Sequence, residues 1–150
     1  MPADAPLSGF RAKYVGFNDR GALTNRTKQM TAPAVDATIT VGAESTNARA
    51  ITIQLLDAWG RALNYREHID ITMLLDSSGA DFMTVGGSTG LAQGADGKLL
   101  AIVAKKRFVG ITDPTGKITA VYTDTGTEVG YIGIRLPTGR VIVSDPVTNA

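Results

Sequence analysis

The chain has 150 residues, with 15 Lys and Arg against 14 Asp and Glu, one histidine and no cysteine. Its length suits a single domain that buries its own core, the missing cysteines exclude a disulfide framework and any Cys-based zinc or redox site, and the net charge of +1 gives no whole-chain sign of nucleic acid or a membrane surface as partner. Seventeen glycines with only 6% aromatic residues point to short strands and many turns, against a helical bundle.

The first element is not a strand. Residues 1–36 carry no sustained period, hold Pro2, Pro6 and Pro33, and interleave Phe10, Tyr14 and Phe17 with Arg11, Lys13, Arg20, Arg26 and Lys28. Between residues 10 and 30 those five basic side chains meet only Asp19, a local balance of +4. We read this stretch as an extended basic and aromatic N-terminal arm. Ordering about 20 such residues costs on the order of 25 kcal/mol, which takes roughly 1,000 Å² of apolar burial to offset. An arm alone does not supply that, so it has to lie on its own domain, a sister subunit or another protein. The opening "MPADAPLSGF" has no basic n-region before an apolar run, and no stretch approaches the roughly 18 apolar residues of a membrane span. The expectation is a protein made in the cytoplasm, with no membrane partner.

From residue 37 to 150 the sequence breaks into β-branched or aliphatic runs divided by turn signals: 37–41, 49–57, 67–76, 98–104, 107–113, 117–124, 129–136 and 140–145. Ile51, Ile53 and Leu55 alternate with Thr52 and Gln54, and Ile69, Ile71, Met73 and Leu75 alternate with Asp70 and Thr72. That period of two predicts antiparallel sheets with one buried and one wet face. The predicted fold is therefore all-β, an antiparallel sandwich. Four connectors share one design, "DAWGRAL", "GADGKLL", "DPTGKIT" and "LPTGRVI". In each, Gly60, Gly97, Gly116 or Gly139 supplies positive φ at the end of a tight turn, and the basic residue after it begins the next strand. They read as hairpin turns of a β-meander.

Candidate chemistry is thin. "GITDPTGKIT" (110–119) puts five residues between Gly110 and the Gly116-Lys117 pair where a P-loop needs four, follows Lys117 with Ile118 where Ser or Thr would hold magnesium, and leads into a strand where a helix is required. "LPTGR" (136–140) resembles a cell-wall sorting signal but lacks the spacer after Pro137 and reads as a turn. The glycine-rich stretch 85–98 offers backbone N–H groups to an anion, yet without a following helix it reads as a mobile connection. His68 lies beside Glu67 and two residues from Asp70, on what the alternation makes a solvated outer face. No acid–base set, metal set or cofactor motif emerges, so no residue is assigned catalysis. Trp59, the only tryptophan, falls in a turn, where it either covers the sandwich end or anchors a partner.

The stretch "ITIQLLDAWGRALNYREHIDITMLLDSSGADFMTVGG" resembles the repeated core of immunoglobulin-like β-sandwiches. More specifically, residues 49–144 resemble small tailed-bacteriophage virion proteins encoded among head genes. The shared order is a strand ending in Asp57 with a turn at Gly60, a glycine-rich loop, Ala95-Asp96-Gly97, an Ala104-x-Lys106 strand start, Thr112-Asp113 with Gly116, Thr127-Glu128 with Gly130, and Leu136-Pro137 with Gly139-Arg140. The resemblance implies a non-enzymatic capsid decoration, or cement, protein on the outside of the phage head. It implies the major capsid protein as partner, and a homo-oligomer, with a trimer favoured. Candidate capsid or subunit contacts are Phe10, Arg11, Lys13, Tyr14, Phe17, Arg20, Arg26, Lys28 and Trp59. The alternative is a head- or tail-fibre module that binds host glycan or protein; a bacterial surface adhesin would need an export signal.

Overall fold

The computed structural model describes residues 33–149, and the expected arm contacts from Phe10 to Lys28 lie outside them. Nine strands follow in chain order: β1 Asp36–Ser45, β2 Ala48–Leu56, β3 His68–Leu74, β4 Gly90–Gln93, β5 Lys98–Val103, β6 Arg107–Ile111, β7 Lys117–Thr123, β8 Tyr131–Arg135 and β9 Val141–Val143. They form two antiparallel sheets, β1-β2-β7-β4 and β5-β6-β3-β8-β9. Apart from the β5–β6 hairpin, the strands in chain order take the A-B-E-D and C-F-G places of an immunoglobulin-like sandwich. The hairpin is inserted between β4 and β7 and widens the second sheet beyond β3.

Alternation explains which faces meet. Ile51, Ile53 and Leu55 of β2, Ile118, Ala120 and Tyr122 of β7, Ile69, Ile71 and Met73 of β3, and Ile132 and Ile134 of β8 are buried in one cluster between the sheets. Leu75 departs from the expected pattern and is 41% exposed, because β3 ends at Leu74 and the chain turns there. Ala34 is fully buried, and the N–H of Val35 donates to Leu56 O at 3.1 Å, so the packed domain begins a few residues before residue 37.

The four glycines expected to turn the chain do so, with φ of +74° at Gly60, +73° at Gly97, +73° at Gly116 and +88° at Gly139. The β-meander expected from them is not what forms. Residues 57–61, 113–117 and 136–140 share one geometry: the glycine N–H donates three residues back, at 3.0, 3.1 and 2.8 Å, and the first residue's N–H bonds the last residue's carbonyl. This is a three-residue loop closed by glycine. Only 136–140 joins neighbouring strands, β8 and β9; the other two lie where the chain changes sheets. At Gly97 the chain instead runs on beside β7, with Thr119 N–H bonded to Asp96 O, before crossing.

A second correction concerns 85–98. This stretch contains β4, paired with β7 from Gly90↔Thr123 to Gln93↔Ala120. Its glycines serve close approach: a Cβ at Gly87 would stand 2.7 Å from Thr123 O and 2.8 Å from the Tyr122 ring, so small size there lets the loop lie flat on β7.

Candidate protein-binding surface

Trp59 is the one expected contact residue inside the described segment, and it is 66% exposed. It therefore does not cover the sandwich end. Its turn is nevertheless rigidly specified. Asp57, 6% exposed, accepts the N–H of Trp59 at 2.8 Å and of Arg61 at 3.0 Å on Oδ1, and Arg61 Nε at 3.0 Å on Oδ2. Burial works against the charged carboxylate, but the donors from Arg61 and Trp59 outweigh it and hold the group below the usual range. The same ion pair places the Arg61 guanidinium 4.9 Å from the Trp59 ring centroid, a cation–π distance. One carboxylate thus fixes the turn, orients the arginine, and through it one face of the indole.

The second feature is a groove on the outer face of the five-stranded sheet, of about 470 Å³. Its floor is Thr72 and Leu74 of β3 and Gly133 of β8; the Phe82 loop and Val141 flank it. Gly133 makes the floor low, since a Cβ there would meet Leu74 Cδ1 at 2.5 Å. Asp70 faces Arg135 across the strand pair and lies 3.9 Å from Arg107. A smaller hollow of about 240 Å³ continues past Asp70 and Arg135 to His68 and Pro137. Asp70, Arg107 and Arg135 give this surface charged and hydrogen-bonding groups beside the apolar Leu74, Phe82 and Val141.

The motifs weighed in the sequence resolve individually. Gly110 lies inside β6, and a Cβ there would meet Ile118 Cδ1 at 2.6 Å in the core. Lys117, which begins β7, pairs with Asp96 at 3.2 Å. His68 is exposed, with its Nδ1 3.2 Å from Oε1 of its neighbour Glu67. The glycine-rich stretch does present a cluster of N–H donors to an anion, and the anion is the chain's own: Glu128 accepts Thr84, Val85 and Gly86. Among the described residues, no three His, Cys, Asp or Glu side chains converge as a metal set, and no helix is long and apolar enough to cross a membrane.

No family model and no curated protein matches the chain. Among solved structures, a cohesin module from a family 33 glycoside hydrolase of Clostridium perfringens ATCC13124 is similar at 10% identity, over 79% of this chain and 94% of that one, with a TM-score of 0.37. The sandwich assignment rests on the strand pairing of this chain.

Proposed function

We propose that this chain is a non-enzymatic virion structural protein of a tailed bacteriophage, a decoration or cement protein that binds the outer surface of the head and stabilises contacts between capsomers. It is made in the host cytoplasm and carried on the capsid exterior. The observation that carries this reading is the ordered series of turn and strand motifs from Asp57 to Arg140, whose order resembles that of phage head-gene products. An exposed tryptophan stacked with arginine on a locked turn supports a protein partner, because these two residue types dominate interface hot spots. Rigid presentation also lowers the ordering cost of binding. The partners are the major capsid protein and further copies of this chain, as a trimer. Phe10, Arg11, Lys13, Tyr14, Phe17, Arg20, Arg26 and Lys28 supply arm contacts that sum with Trp59 through multivalency.

The test is co-sedimentation of the full chain with undecorated heads. Saturable binding at many copies per head is expected, and deletion of residues 1–30 abolishes it. Full binding by the deletion sinks the arm assignment, and no binding by the intact chain sinks the function. The second reading, a fibre module for host glycan or protein, is favoured by the arginine-flanked groove between β3 and β8. It predicts binding to host cells and none to heads.

A further inference from the structure

Among the described residues, β5 is exposed along most of its length. Of its six residues only Leu99 is partly buried, while Leu100, Ile102 and Val103 are 64%, 53% and 49% exposed. Successive side chains on a strand point to opposite faces: Leu100 is bare on the outer face, while on the inner face Leu99 packs partly against the core and Ala101 beyond it is exposed. Among the described residues no strand pairs with the outer edge of β5, although Gln93 Oε1 accepts the Leu99 N–H at 3.3 Å. Ile111, opposite Lys98 on β6 and 44% exposed, extends the apolar surface.

The other sheet margins are protected in ways β5 is not. β9 has three residues, and the first two of the four residues of β4 are buried. β1 is long, but it shifts register between Val41 and Glu44 and carries Asp36–Arg140 and Glu44–Arg49 ion pairs; bulges and charges of this kind blunt an edge. β5 shifts register between Ala101 and Val103, which leaves Lys98–Ala101 as the regular template.

Charge selects the occupant. Lys98 stands at one end of β5, and Lys105, Lys106 and Arg107 stand at the other. Among the described residues the three lysines form no ion pair, and Arg107 has only Asp70 at 3.9 Å. A second copy paired antiparallel would bring each Lys98 toward the other copy's Lys105–Lys106 turn, and residues 10–30 of this chain carry +4; both are repelled. We propose that the β5 edge binds an extended apolar segment of a partner protein flanked by acidic residues, which adds a strand to the sheet through main-chain hydrogen bonds and is steered by the lysines. The site uses neither Trp59 nor residues 1–30, so it stands apart from the capsid reading.

The experiment titrates the isotope-labelled full chain with the peptide Asp-Glu-Thr-Val-Thr-Val-Thr-Glu-Asp and follows backbone amides by NMR. Saturable shifts are expected at Leu99 and Ala101. Binding should fall by roughly tenfold or more when the four acidic flanks become lysine, and likewise for the Leu100→Asp/Ile102→Asp double variant. Those side chains are exposed, so the variant's spectrum elsewhere should match the parent. Equal binding of both peptides, or no saturable shift on β5, overturns the proposal. So does self-association of the protein alone that the double variant abolishes, or a β5 response to phosphatidylglycerol vesicles but not to the peptide.

Discussion

Glu128 holds Thr84 from 44 residues away: its Oε1 accepts the Thr84 N–H at 2.8 Å, and the two carboxylate oxygens also take the N–H groups of Val85 and Gly86 at 3.2 Å. Gly86 has φ of +75° and Gly87 +79°, so the loop follows a path that glycine alone adopts without strain. The carboxylate gives the donors of that path an internal partner. Glu128→Ala should leave three N–H groups to water or to nothing, at a cost of about 1–3 kcal/mol. Glu128→Gln, which keeps one acceptor oxygen, should lose less. Urea unfolding with amide exchange at 84–86 checks both; an unchanged midpoint with unchanged exchange would remove the clamp.

Trp59 separates stability from binding. With Trp59 66% exposed, Trp59→Ala should change unfolding by no more than about 0.5 kcal/mol. If the turn is the capsid contact, the same substitution should weaken co-sedimentation with undecorated heads by roughly tenfold or more, the size of a hot-spot loss. Arg61→Ala should do part of the same by releasing the indole. Undiminished binding by a folded Trp59→Ala chain would take the turn out of the interface.

The pH dependence follows from the turn carboxylates. Asp113 repeats the Asp57 device: it is desolvated, which raises its pKa, but donors from Lys117 and Thr115 outweigh this and hold it below the usual range. Asp76 is lowered chiefly by the Ser78 hydroxyl. A carboxyl whose folded pKa is depressed binds fewer protons folded than unfolded, so it stabilises the fold above the unfolded value of about 3.9 and loses that contribution as pH falls through the folded pKa. Unfolding midpoints should therefore be flat from neutrality to about pH 5 and drop below about pH 4. Asp57→Asn and Asp113→Asn should each shallow that drop. A midpoint that holds steady down to pH 2.5 would contradict the assignment.

The strands and turns were legible because they are local. Period two at Ile51–Leu55 and Ile69–Met73 and the turn glycines report conformations that neighbouring residues decide. The path between turns is not local. The 57–61 and 113–117 turns have the hydrogen bonds of 136–140, yet after Arg61 the Leu63 N–H goes to Leu55 O, and Leu55 donates to Gly116 O, which sends the chain across the sandwich. β4 was hidden because Gly-Leu-Ala-Gln is too short to alternate and begins at a positive φ glycine; it is a strand because β7 offers it an edge. The Glu128 clamp and the Lys117–Asp96 pair each join residues more than 20 apart in sequence, and no pattern marks them. Trp59 was visible as a lone aromatic in a turn, but its exposure depended on which side of the turn the rest of the chain took.

Asn149 closes the far end of the sandwich. It is 1% exposed, its Nδ2 donates to Asn47 O at 2.6 Å and Asp124 O at 3.0 Å, and its Oδ1 accepts Arg49 Nε at 3.1 Å. Asn47 sits in the β1–β2 turn with Thr46, both at positive φ, +60° and +54°, a shape that suits asparagine and disfavours a β-branched residue. The same Asn47 carbonyl takes the Asp124 N–H at 3.0 Å, so one side chain ties together the β1–β2 turn, the end of β7 and the C-terminal residues. Asn149→Ala removes two donors and an acceptor from a buried junction and should cost about 2–4 kcal/mol by the toll for unsatisfied buried groups. Thr46→Gly should relieve strain and recover part of that loss, because it acts on the same turn. Unfolding of the single and double variants measures the coupling; a cost for Asn149→Ala below about 0.5 kcal/mol would mean that the C-terminal residues do not lock the turn.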